Sequence, residues 1–167
     1  MIEADAILAR MRQALTEPKI VTGAPVWGQG NRPRKLVLAA LAEGPTLNAE
    51  LHITAVVDLP NEDMSFQLCL AEPSDMFPIA RFDWRPPRAH TNRVGPHRGL
   101  TSFTGLHPFE ENAALGLSAM AANNLPVSLP VDPEPADFEQ AIAYVCDTFN
   151  LAFRNELPTP PWSLSLI

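Results

Sequence analysis

Three of the four histidines, His90, His97 and His107, lie in one stretch that also carries Arg81, Arg85, Arg88, Arg93 and Arg98, five of the twelve basic residues. Imidazole is the side chain suited to proton transfer near neutral pH, and paired histidines with an arginine can cleave a phosphodiester without a metal. The stretch therefore predicts His90 and His107 as an acid/base pair and Asp83 as the group that orients one of them. Arg81, Arg85 and Arg98 are the expected phosphate clamps, with Asn92 a further ligand contact. The alternative is plainer: Asn92, Gly95 and Gly99 make turns, and the histidines hydrogen-bond the loop backbone.

In a strand over Phe77 to Arg85, Arg81, Asp83 and Arg85 alternate onto one face while Ala80, Phe82 and Trp84 take the other. An aspartate between two arginines stays ionised well below neutral pH, and the spare guanidinium hydrogens are placed to grip a phosphate or carboxylate bidentately. The same pattern also fits a cross-strand ion pair on a solvated face. His52 shares the polar side of its own strand with Glu50 and Thr54 and joins the group only if that side faces the same way. No cofactor is expected. The three histidines match no zinc spacing, although His90, His97 and His107 with Asp83 or Glu110 make a three-ligand site if the loop folds back. No GxSxG elbow is present, and Cys69 and Cys146 sit in apolar contexts without CxxC spacing, which predicts two reduced thiols.

The run RFDW, then HTN, then GLH with an asparagine five residues on, resembles a segment of a family of small bacterial proteins, some of them in mobile-element or defence neighbourhoods. The resemblance spans roughly Ile79 to Asn112. It implies that Arg81, Asp83, His90, Asn92 and His107 form the family's polar signature; it brings no established activity or cofactor, and His97 and Arg98 fall outside it.

The elements that must position these residues follow from periodicity. Glu3 to Leu15 is amphipathic and stops at Pro18, an N-terminal helix within residues 1–18. Lys19 to Val26 reads as a short edge strand. The Gly23, Gly28 and Gly30 cluster lacks the spacing of a phosphate-cradling loop. Lys35–Glu43, Leu47–Leu59, Ser65–Ala71 and Phe77–Arg85 read as strands joined by short polar turns, an antiparallel meander of four or more strands. Residues 86 to 108 read as a long loop across one sheet end. Phe109 to Ala122 reads as a helix, LPVSLPVDPEP as extended linker, and Pro135 to Phe153 as the helix that packs on the sheet. The Pro-rich tail over residues 155–167 carries Trp162 and Leu164, which either dock on the body or stay exposed.

The whole reads as a single α+β domain spanning residues 1–167, with 46% hydrophobic and 19% charged residues. A net charge of -7 and a sequence pI near 5.0 argue against a general nucleic-acid or anionic-membrane binder, because such binding needs a field from clustered cations. The amphipathic start lacks the features of a signal peptide and no apolar run suffices for a membrane span, so a cytoplasmic protein is expected. The favoured function is binding of a phosphate-bearing ligand, a nucleotide or RNA, with hydrolysis by the histidine pair. Its rival is a non-enzymatic, antitoxin-like or regulatory module that uses the acidic surface and the Trp162 tail for a protein partner. A metallohydrolase comes third. Nothing in the chain fixes the oligomeric state.

Overall fold

Alternation in the sequence becomes a sheet that sorts apolar and polar side chains onto two faces. The computed structural model describes residues 2–163, so Met1 and the tail residue Leu164 lie outside it. Helix α1 (Ile2–Thr16) ends before Pro18 and leads into β1 (Lys19–Val21) and β2 (Gly28–Gln29). The meander follows as β3 (Lys35–Glu43), β4 (Asn48–Val56), β5 (Met64–Ala71) and β6 (Met76–Trp84), each antiparallel to the next. No helix among the described residues is long and apolar enough to cross a membrane.

The expected long loop is partly built of strands. It holds the hairpin β7 (His90–Thr91) and β8 (Thr101–Ser102), and then β9 (Gly105–His107), which pairs with the outer edge of β6. Strands of two or three residues carry too little alternation to be read, and β9 forms because β6 offers a row of unpaired backbone groups. The helix expected over Phe109 to Ala122 breaks into α2 (Phe109–Ala113) and α3 (Leu117–Ala122) at Gly116, whose φ of 90° lies where glycine is at ease. The linker contributes β10 (Leu129–Pro130), antiparallel to β9.

Helix α4 (Phe138–Phe149) is shorter than its apolar stripe. Asp137 caps its start by accepting from the Gln140 N–H at 2.9 Å, and Asn150, at φ 53°, ends it in the left-handed conformation. The residues beyond turn into β11 (Leu151–Phe153), parallel to β1. This gives the order β10-β9-β6-β5-β4-β3-β1-β11, with β2 also on β3. β1 is thus flanked by β3 and β11, not an edge strand.

One face of the meander, including Leu38, Leu51, Ile53, Phe66, Leu68, Phe82 and Trp84, is fully buried. There α4 packs on it, with the Phe82 and Tyr144 ring centroids 4.6 Å apart and the Trp84 indole donating to the Pro135 carbonyl at 2.9 Å. The opposite face carries a polar row in register across four strands, His52 beside Gln67, Gln67 beside Arg81, and Arg81 beside His107.

Lys19 departs from the ordinary place of a charged residue. It is 1% exposed, and its ammonium donates to the Leu15 and Glu17 carbonyls at the end of α1, at 3.1 and 2.7 Å. Burial pushes its pKa down to about 8. Between pH 8 and the unfolded value near 10.5 the unfolded chain holds more protons than the folded one, so this residue makes stability rise with pH in that window. The buried thiols of Cys69 and Cys146, whose pKa values burial raises, act in the opposite sense. The test is therefore a difference: relative to Lys19→Met, wild type is expected to gain on the order of 2 kcal/mol from pH 8 to 10.5 in denaturant titrations. A flat difference would refute the buried-ammonium reading.

Candidate functional site

Asp83 and Arg81 project from the polar face of β6, and His107 reaches them from β9. The Arg81 guanidinium lies 3.1 Å from Asp83 Oδ1, and the Ser65 hydroxyl donates to the same oxygen at 2.9 Å. Burial pushes the Asp83 carboxyl up, but its contacts with His107, Arg81 and Ser65 outweigh burial and hold it below the ordinary carboxylate range.

His107 is wholly buried. Its Nδ1 is 2.6 Å from the Leu125 carbonyl and its Nε2 is 3.0 Å from Asp83 Oδ2. Only a doubly protonated ring satisfies both acceptors at once. Burial, helped by the Arg81 charge, holds the imidazole below its ordinary value. The neutral ring keeps its proton on Nδ1 for Leu125, with Arg81 Nη2 at 3.0 Å as the donor beside Nε2. His90 packs edge-on against it, ring centroids 5.0 Å apart, and donates from Nε2 to the Pro126 carbonyl at 2.9 Å. Arg81, Asp83, His90 and His107 do converge, but around protein backbone.

The backbone they hold is one continuous segment. Arg81 donates to the Asn124 carbonyl at 2.7 Å, His107 to that of Leu125 and His90 to that of Pro126. Asn112, fully buried on α2, accepts from the Val127 N–H at 2.8 Å and donates to its carbonyl at 3.0 Å. Asn92, 1% exposed, does the same for Ser128, at 2.8 and 2.9 Å, and also donates to the His97 carbonyl. Five consecutive residues are thus each held by one polar side chain, and the two asparagines stand in for strand partners. Proline at 126 has no N–H to satisfy, so a single contact suffices there. The segment needs this support: Asn124 and Leu125 enter it at φ 47° and 62°, conformations that cost non-glycine residues of order 1–3 kcal/mol each.

The remaining expected residues go elsewhere. β6 ends at Trp84, and Arg85 turns away at φ 48°, stacks over the Trp84 ring and pairs with Glu134 at 2.9 Å. It does not share the Arg81 face, so the expected three-arginine clamp is not assembled. Arg98 is exposed in the turn after β7, with no ion pair among the described residues. His97 approaches Glu111 at 3.4 Å. Among the described residues no three His, Cys, Asp or Glu side chains gather to hold a metal ion. His52 faces the same way as Arg81 but two strands off, and it bonds Glu50 at 2.8 Å. Trp162 is half-buried against Phe138, ring centroids 5.9 Å apart, so this part of the tail docks on the body.

Beside His90 a pocket of about 550 Å³ opens, lined by Ala89, Thr91, Arg93, Val94, Asn123 and, from the held segment, Pro126. Two residues, Asn112 against the held segment and Arg93 at the pocket, escaped the motif reading. Asn112 marked only the end of a motif, and Arg93 was one arginine among five. A signal for the second was present: from Trp84 to Phe109 the chain has four arginines and no acid, leaving eight basic and all nineteen acidic residues on the rest. Comparison with protein-family models, curated proteins and solved structures finds no match to the chain.

Proposed function

We propose that the protein binds a phosphate-bearing ligand, a nucleotide or single-stranded RNA, without hydrolysing it. The observation that carries the reading is the segregation of charge around one pocket. Arg93 lines the pocket beside His90, Arg88 and Arg98 lie exposed on the same acid-free segment, and none of the three makes an ion pair among the described residues. A guanidinium with free N–H groups at a pocket wall suits a phosphate. Exposed Phe103 (61%), Val94 and Leu100 lie on the same lobe and offer apolar surface to a base.

Turnover is not part of the reading. His107 is sealed from solvent, the one nitrogen of His90 within bonding reach of a carbonyl is spent on Pro126, and Asp83 and Arg81 neutralise each other.

The test is a binding titration of ATP and of a short oligouridine by fluorescence anisotropy over a range of salt. Arg93→Ala is expected to weaken binding about tenfold, since a charged hydrogen bond is worth about 1.5–3 kcal/mol. Arg154→Ala, on the acidic body, leaves it unchanged. For RNA, losing Arg93 also flattens the salt dependence by about 0.7 in log-log slope. Absence of millimolar or tighter binding to both probes, or an unaltered Kd for Arg93→Ala, would overturn the proposal.

A further inference from the structure

A second concave site lies where the docked tail meets α4. We infer that this groove, of about 630 Å³, binds an organic ammonium with an apolar body. Phe138 and Ile142 line it from successive turns of α4, Phe153 from β11, and Leu157 and Trp162 from the tail. The Phe138 and Trp162 rings meet at 86°, an aromatic corner.

Its rim is acidic. Asp137, Glu139 and Glu156 border the groove, no basic residue does, and Glu139 and Glu156 make no ion pair among the described residues. Aromatic faces and carboxylates both attract a cation, and the apolar walls take the carbon skeleton attached to it. The same combination rejects phosphates and carboxylates, so this site and the arginine lobe sort ligands by opposite charge.

A third observation sets Trp162 apart from the other tryptophans. The Trp27 indole donates to the Pro158 carbonyl and that of Trp84 to Pro135, whereas the buried Trp162 Nε1 has no acceptor among the described residues. A buried N–H without a partner is unfavourable, so this indole is the one whose surroundings a change in the groove would alter.

The three indole N–H signals give a direct assay on the full chain. Benzyltrimethylammonium, titrated into nitrogen-15-labelled protein, is expected to shift one indole resonance saturably. That resonance is the one missing from Trp162→Phe, and those of Trp27 and Trp84 stay in place. Glu139→Gln combined with Glu156→Gln is expected to weaken binding about fivefold or more, as removal of two partly screened charges should. Both positions are exposed, so the variant keeps its fold, which the unchanged remainder of the spectrum would verify. Phenylacetate, of similar size and opposite charge, leaves the Trp162 signal unmoved. The inference is overturned if phenylacetate binds as well as the ammonium, if the shift does not saturate, or if the double variant binds with unaltered affinity.

Discussion

Replacing Asp83 with alanine is expected to lower the free energy of unfolding by about 3–5 kcal/mol, the range for breaking one partner out of a buried ion pair. The side chains of Arg81 and Asp83 are 15% and 21% exposed, so little solvent is at hand to replace the lost partner. Deleting the carboxylate also leaves the Ser65 hydroxyl without its acceptor and removes the negative charge beside His107. Arg81→Met alone is expected to cost less. It frees the Asn124 carbonyl but leaves a carboxylate that can still take hydrogen bonds from Ser65 and, at lower pH, from His107. The double variant Arg81→Met with Asp83→Leu should recover a large part of the loss, because a buried pair replaced by apolar groups is often neutral. A denaturant-based double-mutant cycle measures this, and strictly additive costs would rule out the coupling.

The pH dependence of the same group has a fixed sign. Asp83 titrates below its ordinary value when folded, so its contribution is present above the ordinary carboxylate pKa and is lost as pH falls through the folded one. His107, also held below its ordinary value, adds a loss that begins as pH drops below about 6.5, where the unfolded ring takes up a proton that the buried ring refuses. Both act in the same direction, toward acid lability.

The meander was legible because each of its strands spans eight or nine residues, long enough for alternation to declare a buried face. β9 was not, since Gly105, Leu106 and His107 form a strand only because β6 lies open beside them, a tertiary cause that no local pattern carries. The same limit applied to the polar residues. Alternation put Arg81 and Asp83 together correctly and placed Arg85 with them, but a positive φ at Arg85 rotates it out of the series. Residue chemistry drew attention to His90, Asn92 and His107, and all three do sit at one place. What spacing could not reveal is that their partner is the chain's own backbone at Asn124 to Ser128, 18 to 36 positions away. A histidine poised for proton transfer and a histidine holding a carbonyl read alike until the acceptor is known.

If holding that segment is the work of these residues, the asparagines should matter as much as the charged group. Asn92→Ala removes an acceptor from the Ser128 N–H and donors from two carbonyls, the Ser128 pair buried and the His97 one partly so, and is expected to cost about 3 kcal/mol. Asn112→Ala strips both groups of Val127 and should cost about as much. Asn92→Asp divides the effect: it keeps the acceptor for Ser128 N–H and loses the donors, so an intermediate loss is expected. Hydrogen exchange separates this from general core damage. The Val127 and Ser128 amides are expected to lose protection in the asparagine variants, while the β3 to β6 ladder keeps its own up to the lowered global stability. The consequence reaches the proposed ligand site, because Asn123 and Pro126 form one wall of the pocket that holds Arg93. Asn92→Ala should therefore weaken phosphate-ligand binding although Asn92 does not line that pocket. Asparagine variants that unfold within 0.5 kcal/mol of wild type and exchange these two amides at the wild-type rate would show that the segment is held by something other than this cradle.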